Sequence, residues 1–196
     1  LTEGVLSPFL ANVTVLMLLV SPLITMRSFS EERRLGTLEL LHTYPVSDGE
    51  IVFGKFLGIL TVLCILILPT ALYFPMAHVV EARFEIASLF TGYFGLFLLA
   101  ASFATFGVFM SSLTEHQAVS AGIGFVILLS FWVVGWMADW VSPALGNVFR
   151  EISLVEHFRD FTRGIVDTKD VAFFVLFSAF FLFATCSVLG IRTWKK

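Results

Sequence analysis

The sequence predicts an all-α integral membrane protein, and three observations carry that expectation. Hydrophobic residues make up 58% of the chain and charged residues 14%, with a mean hydropathy of +0.93, well outside the balance of soluble globular domains. The apolar residues fall in long runs, and a helix needs roughly 20 of them in succession to cross a hydrocarbon core. The runs are also apolar on every face, whereas the strands of a membrane barrel alternate over about ten residues, so the spans are helical.

Five stretches meet the length requirement: Pro8 to Met26, Phe56 to Phe74, Ser88 to Leu113, Ala118 to Val141 and Val171 to Ile191. The first contains Pro22. Pro69 in the second lacks an amide donor and is expected to kink that helix. The third and fourth are joined by Thr114 to Gln117 alone, a tight turn in which Thr114 and Gln117 have the spacing of a capping box. Small residues recur four apart at Gly54 and Gly58, Ala118 and Gly122, and Ser120 and Gly124, which lets helix backbones approach closely.

Between the first two spans lies the polar stretch from Ser28 to Glu50. Ser28 with Glu31, and Ser47 with Glu50, each have capping-box spacing, and Pro45 forces Tyr44 out of the helical region. A short helix, a turn and a new helix are expected. The charges crowd into Glu31 to Arg34, and Leu35, Leu38 and Leu41 recur along one side, the pattern of a helix lying flat where membrane meets water.

The segment Ser142 to Asp170 is too polar to span and too apolar to hang free. At 100° per residue, Leu145, Val148, Phe149, Ile152 and Val155 share one face, while Leu154, Phe158, Phe161 and Ile165 share nearly the opposite one. One straight helix cannot bury both. A break at Ser153 resolves the conflict, with Ser153 and Glu156 starting the second helix, Ser142-Pro143 opening the first and Gly164 weakening the end. Phe149, Ile152, Phe158 and Phe161 are expected to pack on the spans or enter lipid, as an outer gate or a surface for a partner.

Lys and Arg near the span ends set the orientation. Arg27, Arg33, Arg34, Lys55, Arg192, Lys195 and Lys196 fall on one side, against Arg83, Arg150, Arg159, Arg163 and Lys169 on the other, so the first group and the C-terminus are placed in the cytoplasm. Leu1 then starts outside. Leu1 to Leu6 carries Glu3 but no basic residue and does not resemble a signal peptide, so a further span is expected to precede residues 1–196, which form a single transmembrane domain.

Several chemistries are missing from the sequence. There is no Gly-rich loop ending in Lys-Ser or Lys-Thr, so ATP binding by this chain in the usual way is not expected. His42, His78, His116 and His157 are scattered, with no paired-histidine zinc motif or cysteine cluster. Glu156, His157 and Asp160 are close enough to be weighed as metal ligands, but a solvated helix face is the favoured reading. Asp139, the one charge in an apolar run, lies near its end. Little embedded charge weighs against an ion-coupled carrier. The net charge of -3 argues for no nucleic acid partner. Cys64 and Cys186 lie in apolar runs, as small packing residues.

Glu32, Arg33, Gly36, Thr37, Glu39 and Pro45 resemble the first cytoplasmic loop of the membrane subunits of type-two ATP-binding-cassette exporters, and most of all permeases of the gliding-motility and nitrous-oxide-reductase-maturation type. Supporting matches are Ser111-Ser-Leu-Thr114 with Gln117, and Arg163-Gly-Ile-Val-Asp167 with Asp170. The resemblance implies six spans in the intact subunit and short helices before the last one. It implies a location in the bacterial inner membrane, with two permease copies, identical or different, above two copies of a P-loop ATPase. ATP and Mg would then sit on that partner, with no cofactor on this chain. Contact with the ATPase is carried over to Glu31, Glu32, Arg33, Gly36, Thr37 and Glu39, and more weakly to Glu115 and His116. The alternatives are an ABC-driven anchor that transmits force to an outer complex and, further off, an ion-coupled carrier or channel.

Overall fold

The computed structural model describes residues 2–37, 46–72 and 86–193, and among them all regular structure is helical. The elements in order are α1 (Thr2–Thr25), α2 (Arg27–Leu35), α3 (Asp48–Ile67), α4 (Ile86–Leu113), α5 (Gln117–Met137), α6 (Pro143–Ile152), α7 (Leu154–Thr162) and α8 (Thr168–Thr193). Five stretches are long and apolar enough to span: Leu6–Leu35, Asp48–Leu72, Ala87–Leu113, Gln117–Met137 and Thr168–Gly190. They coincide with the expected five. The second begins earlier than Phe56 because Ser47 and Glu50 form the expected capping box: Ser47 N–H donates to Glu50 Oε2 at 2.8 Å, and Glu50 N–H to Ser47 Oγ at 3.4 Å. Pro69 does not kink a continuing α-helix. It lies in a 3-10 segment, Leu68–Leu72, that ends α3, because an imino residue cannot extend the i to i-4 ladder.

The bundle is built around α4. Leu96, Leu99, Ala100, Phe103, Ala104 and Val108 are fully buried, and α4 packs against α1, α2, α3, α5, α7 and α8. A helix that is apolar on all sides has no face to offer water, so it takes the centre or faces lipid. The two outcomes appear side by side: 78% of the apolar window of α4 is buried, against 11% for α8. Both helices carry rows of phenylalanines, and α4 adds small residues where its neighbours come close, Gly95 under Phe161 and Gly107 beside Thr25. The phenylalanine rings join α8 to its neighbours edge on, with Phe181 against Phe106 at 5.0 Å and Phe177 against Phe131 at 5.7 Å between centroids.

The connection from α5 to α8 breaks where the shift of the apolar stripe predicts. Ser153 has an extended backbone (φ -74°, ψ 119°), ends α6 and starts α7, and its Oγ accepts the Glu156 N–H at 3.4 Å. Ser153 N–H is taken by the carbonyls of Phe149 and Arg150. Gly164 closes α7 with a φ of 83°, and Ile165 N–H bonds back to Asp160 O at 3.0 Å.

The two short helices have different fates. α7 is folded into the bundle against α1, α4 and α5, with Phe158 3% and Phe161 0% exposed. Phe161 fits over Gly95, where any Cβ would lie 2.6 Å from the ring's own Cβ, and the Phe161 carbonyl accepts the Thr91 hydroxyl at 3.1 Å. α6 stays outside. Ile152 is 41% exposed, Leu145 and Val148 are also exposed and Phe149 is half-buried, so most of this stripe is left uncovered by the bundle. The contacts of α6 run to one span, α5, and to the 3-10 turn Ala138–Trp140 and α7.

His157 corrects the expectation of a solvated helix face. It is buried, with Nδ1 2.6 Å from Asp170 Oδ1 on α8, Nε2 3.1 Å from the Glu151 carbonyl, and its ring stacked on Phe173 at 4.0 Å. Glu156 and Asp160 point elsewhere, toward Arg159 and Arg163. No group of three or more possible metal ligands occurs among the described residues. On the exposed surface Lys169 Nζ bonds Glu151 Oε1 at 2.6 Å, which holds the Glu151 carboxyl below the usual carboxylate range.

The contact at Gly95 generates a prediction. Gly95→Val leaves no room for Phe161 and is expected to cost about 1–3 kcal/mol, the usual cost of overpacking. A cysteine placed at Phe158 in that variant should become reactive to a membrane-impermeant thiol reagent, and continued protection would show that α7 is not held by this contact.

Candidate functional site

At the polar end of the bundle where α1 gives way to α2, the chain does not restart as a fresh helix. Met26 is itself αR, and its N–H bonds to Pro22 O at 3.0 Å. The expected capping box of Ser28 and Glu31 is therefore absent. An N-cap needs an extended backbone before a free helix start, and Ser28 already lies inside α2 with its Oγ buried and unpartnered.

What holds the elbow comes from far along the chain. Ser111 Oγ accepts the N–H groups of Phe29 at 2.9 Å and Ser30 at 3.0 Å and donates to the Met26 carbonyl at 3.0 Å. Ser30 Oγ donates to the Ser111 carbonyl at 3.0 Å. A hydroxyl inserted into a helical ladder is a known cause of a bend, and here Ser111 satisfies both sides of the gap. Next to it Arg33 donates to the Ser112 carbonyl. From α3, Lys55 bonds Glu32 Oε1 and the Ser28 carbonyl and lies 4.7 Å above the Phe29 ring. Glu32 and Lys55 are mostly buried, so removing one partner would strand the other charge.

The far end of α2 explains the Gly-Thr pair. Gly36 takes a left-handed conformation (φ 70°), Gly36 N–H bonds Arg33 O at 3.2 Å, and Thr37 N–H bonds Glu32 O at 2.9 Å. This double closure satisfies the last carbonyls of a helix and favours glycine at the left-handed position. Thr37 Oγ1 adds a third bond to the Glu32 carbonyl at 3.3 Å. The helix stops at Leu35. Leu38, Glu39, Leu41, His42 and Pro45 lie outside the described residues, as does His78.

The residues expected to form a partner surface divide into two sets. Glu32 and Arg33 turn inward to Lys55 and Ser112, so they hold α2 in place. Gly36 stays exposed with Glu115 and His116, and Arg34 joins them, while Glu31 and Thr37 are half-buried. A cavity of about 360 Å³ is lined by Met26, Arg34, His116, Gln117 and Ala118, so it brings the α2 helix and the α4–α5 turn together. That turn is tight as expected, but its cap differs: Thr114 Oγ1 accepts the His116 N–H at 3.2 Å, and His116, not Thr114, precedes the helix. Sequence reasoning missed the roles of Ser30, Lys55 and Arg34. In the sequence Lys55 shows only as a charge that sets orientation.

A profile of the family described as ABC-2 family transporter protein matches residues 8–163, from within α1 to just past α7. The chain is also similar to the "Probable ABC transporter permease protein NosY" of Stutzerimonas stutzeri, being 30% identical over 128 residues, 62% of this chain and 46% of that protein. It thus spans about half the length of that relative. With most of the chain inside the family match, α2 and its Ser111 clamp included, this protein belongs to the ABC-2 transporter family and is a multi-pass membrane permease of the type-two ABC kind.

Proposed function

We propose that the chain is the membrane half of an exporter in the bacterial inner membrane, in which two permease copies are driven by two separate P-loop ATPase subunits docked on the α2 side. That side and the C-terminus are cytoplasmic in this reading, in accord with the bias of Lys and Arg. ATP and Mg²⁺ reside on the partner. The observation that carries the proposal is the α2 elbow: a helix with a polar exposed side, clamped through Ser111 and Ser112 to the end of the one helix that touches nearly every other.

A push on Glu31, Arg34 or the Gly36–Thr37 stop then reaches α4 through bonded groups, because Ser111 ties Phe29, Ser30 and Met26 to α4 and the Gly36 and Thr37 amides close the end of α2. From α4 it reaches α7, whose Phe161 sits on Gly95, and so the opposite end of the bundle. The outer helices then serve as a gate, with Phe158 and Phe161 as its seated part and Phe149 and Ile152 as its free part. Force transmission to an outer partner is the alternative, and the bare stripe of Leu145, Val148 and Ile152 is what favours it. ATP-dependent release of a trapped substrate from proteoliposomes separates the two.

Two outcomes are expected. Arg34→Glu combined with Glu115→Lys reverses both signs on the exposed surface and should lower co-purification with the ATPase, and its stimulated hydrolysis, by about tenfold. Equal recovery and equal hydrolysis would count against docking here. Ser111→Ala strands two buried N–H groups at about 1–3 kcal/mol each. Its melting temperature in detergent should fall, and ATP turnover should no longer depend on transport while ATPase binding persists. A variant with wild-type melting and coupling would remove the clamp from the mechanism.

A further inference from the structure

A second cleft of about 410 Å³ opens sideways at the same end of the bundle, between the α1–α2 elbow and α3. Its volume lies within the roughly 300–1,000 Å³ of small-molecule sites. Both signs of charge line it, and the bonds within the chain do not satisfy them. Lys55 uses Glu32 Oε1 and leaves Glu32 Oε2 buried without a donor. Ser28 Oγ is buried without a partner, and neither Arg27 nor Glu31 has an ion pair among the described residues. The two buried atoms without partners are thus Glu32 Oε2, which takes a donor, and Ser28 Oγ, and Glu31 and Arg27 beside them add one charge of each sign at the water-accessible rim.

The wall toward the membrane is apolar and open. Ile24 and Ile59 line it, and a Cβ at Gly58 would meet nothing within 4 Å. On the same face of α3, Val62 and Ile65 continue as an exposed apolar track.

We propose that this cleft binds the headgroup of an aminophospholipid, with phosphate on Arg27 and Ser28, primary ammonium on Glu32 and Glu31, and an acyl chain running past Gly58 along α3. A primary ammonium supplies the N–H that Glu32 Oε2 lacks, which a quaternary choline cannot. A glycerol headgroup brings no cation to the two carboxylates. The inference rests on the chain spanning a membrane and is independent of the ATPase reading.

The test uses the full chain in nanodiscs of equal phosphatidylethanolamine, phosphatidylcholine and phosphatidylglycerol, with retained lipids counted by native mass spectrometry. Phosphatidylethanolamine is expected in about tenfold excess over the other two, one charge-assisted hydrogen bond's worth of selectivity. Arg27→Gln and Ser28→Ala should each reduce that excess, and Ser28→Ala breaks no bond within the chain. Gly58→Leu fills the cleft and should abolish it with the melting temperature kept. Equal retention of the three lipids, or an excess unchanged in all three variants, would overturn the proposal. Displacement by soluble glycerophosphoethanolamine at concentrations matching the lipid would assign the site to a free phosphoamine and overturn its lipid nature.

Discussion

The constraint on which this structure turns is that a backbone in a membrane bundle must find its hydrogen bonds inside the protein. The chain meets it almost everywhere by staying helical, and pays particular attention to the one place where a span bends into a surface helix. At Met26 the ladder of α1 lapses, and a single hydroxyl, Ser111, answers two amides and a carbonyl at once. A water molecule could do the same chemistry. The serine differs in being fixed to α4, so the repair of the elbow is also the joint between α2 and the centre of the bundle.

That joint was only partly legible in the sequence. The spans, the break at Ser153 and the cap at Ser47 were readable because each depends on residues within one or two helical turns. Ser28 and Glu31 have the same spacing as Ser47 and Glu50, yet only the second pair forms a cap. Spacing records which bonds are possible, while the backbone entering the helix decides which occur: Ser47 is extended and Met26 is helical. The partners of Phe29 and Ser30 lie on another helix, beyond the reach of periodicity. Ser111 was noticed as part of a motif, but nothing local said what its hydroxyl does. His157 looked like part of a wet face because its partner, Asp170, is on the far side of a turn.

Polar residues at the two ends of the bundle do different work. On the α2 side, inward-facing Glu32 and Arg33 immobilise the helix and leave its neighbours on show. On the other side, α6 and α7 divide one apolar segment, the second half buried against α4 and the first left with its stripe bare. A half-turn shift at Ser153 is enough to make that division, because it turns the two apolar faces away from each other.

The seating of α7 also bears on how the chain assembles. Nine residues that include Glu156, His157, Arg159 and Asp160 are too few and too polar to enter a bilayer as a span. Their site is composed of Leu10 and Ser7 from the start of the chain, Gly95 from its middle, and Asp170 and Phe174 from its end. The site is complete only once α8 has been made and has come alongside α4. The bonds of α7 to Asp170 and Phe174 are therefore the last to form in biogenesis, and a chain stalled before Asp170 leaves His157 without its carboxylate partner.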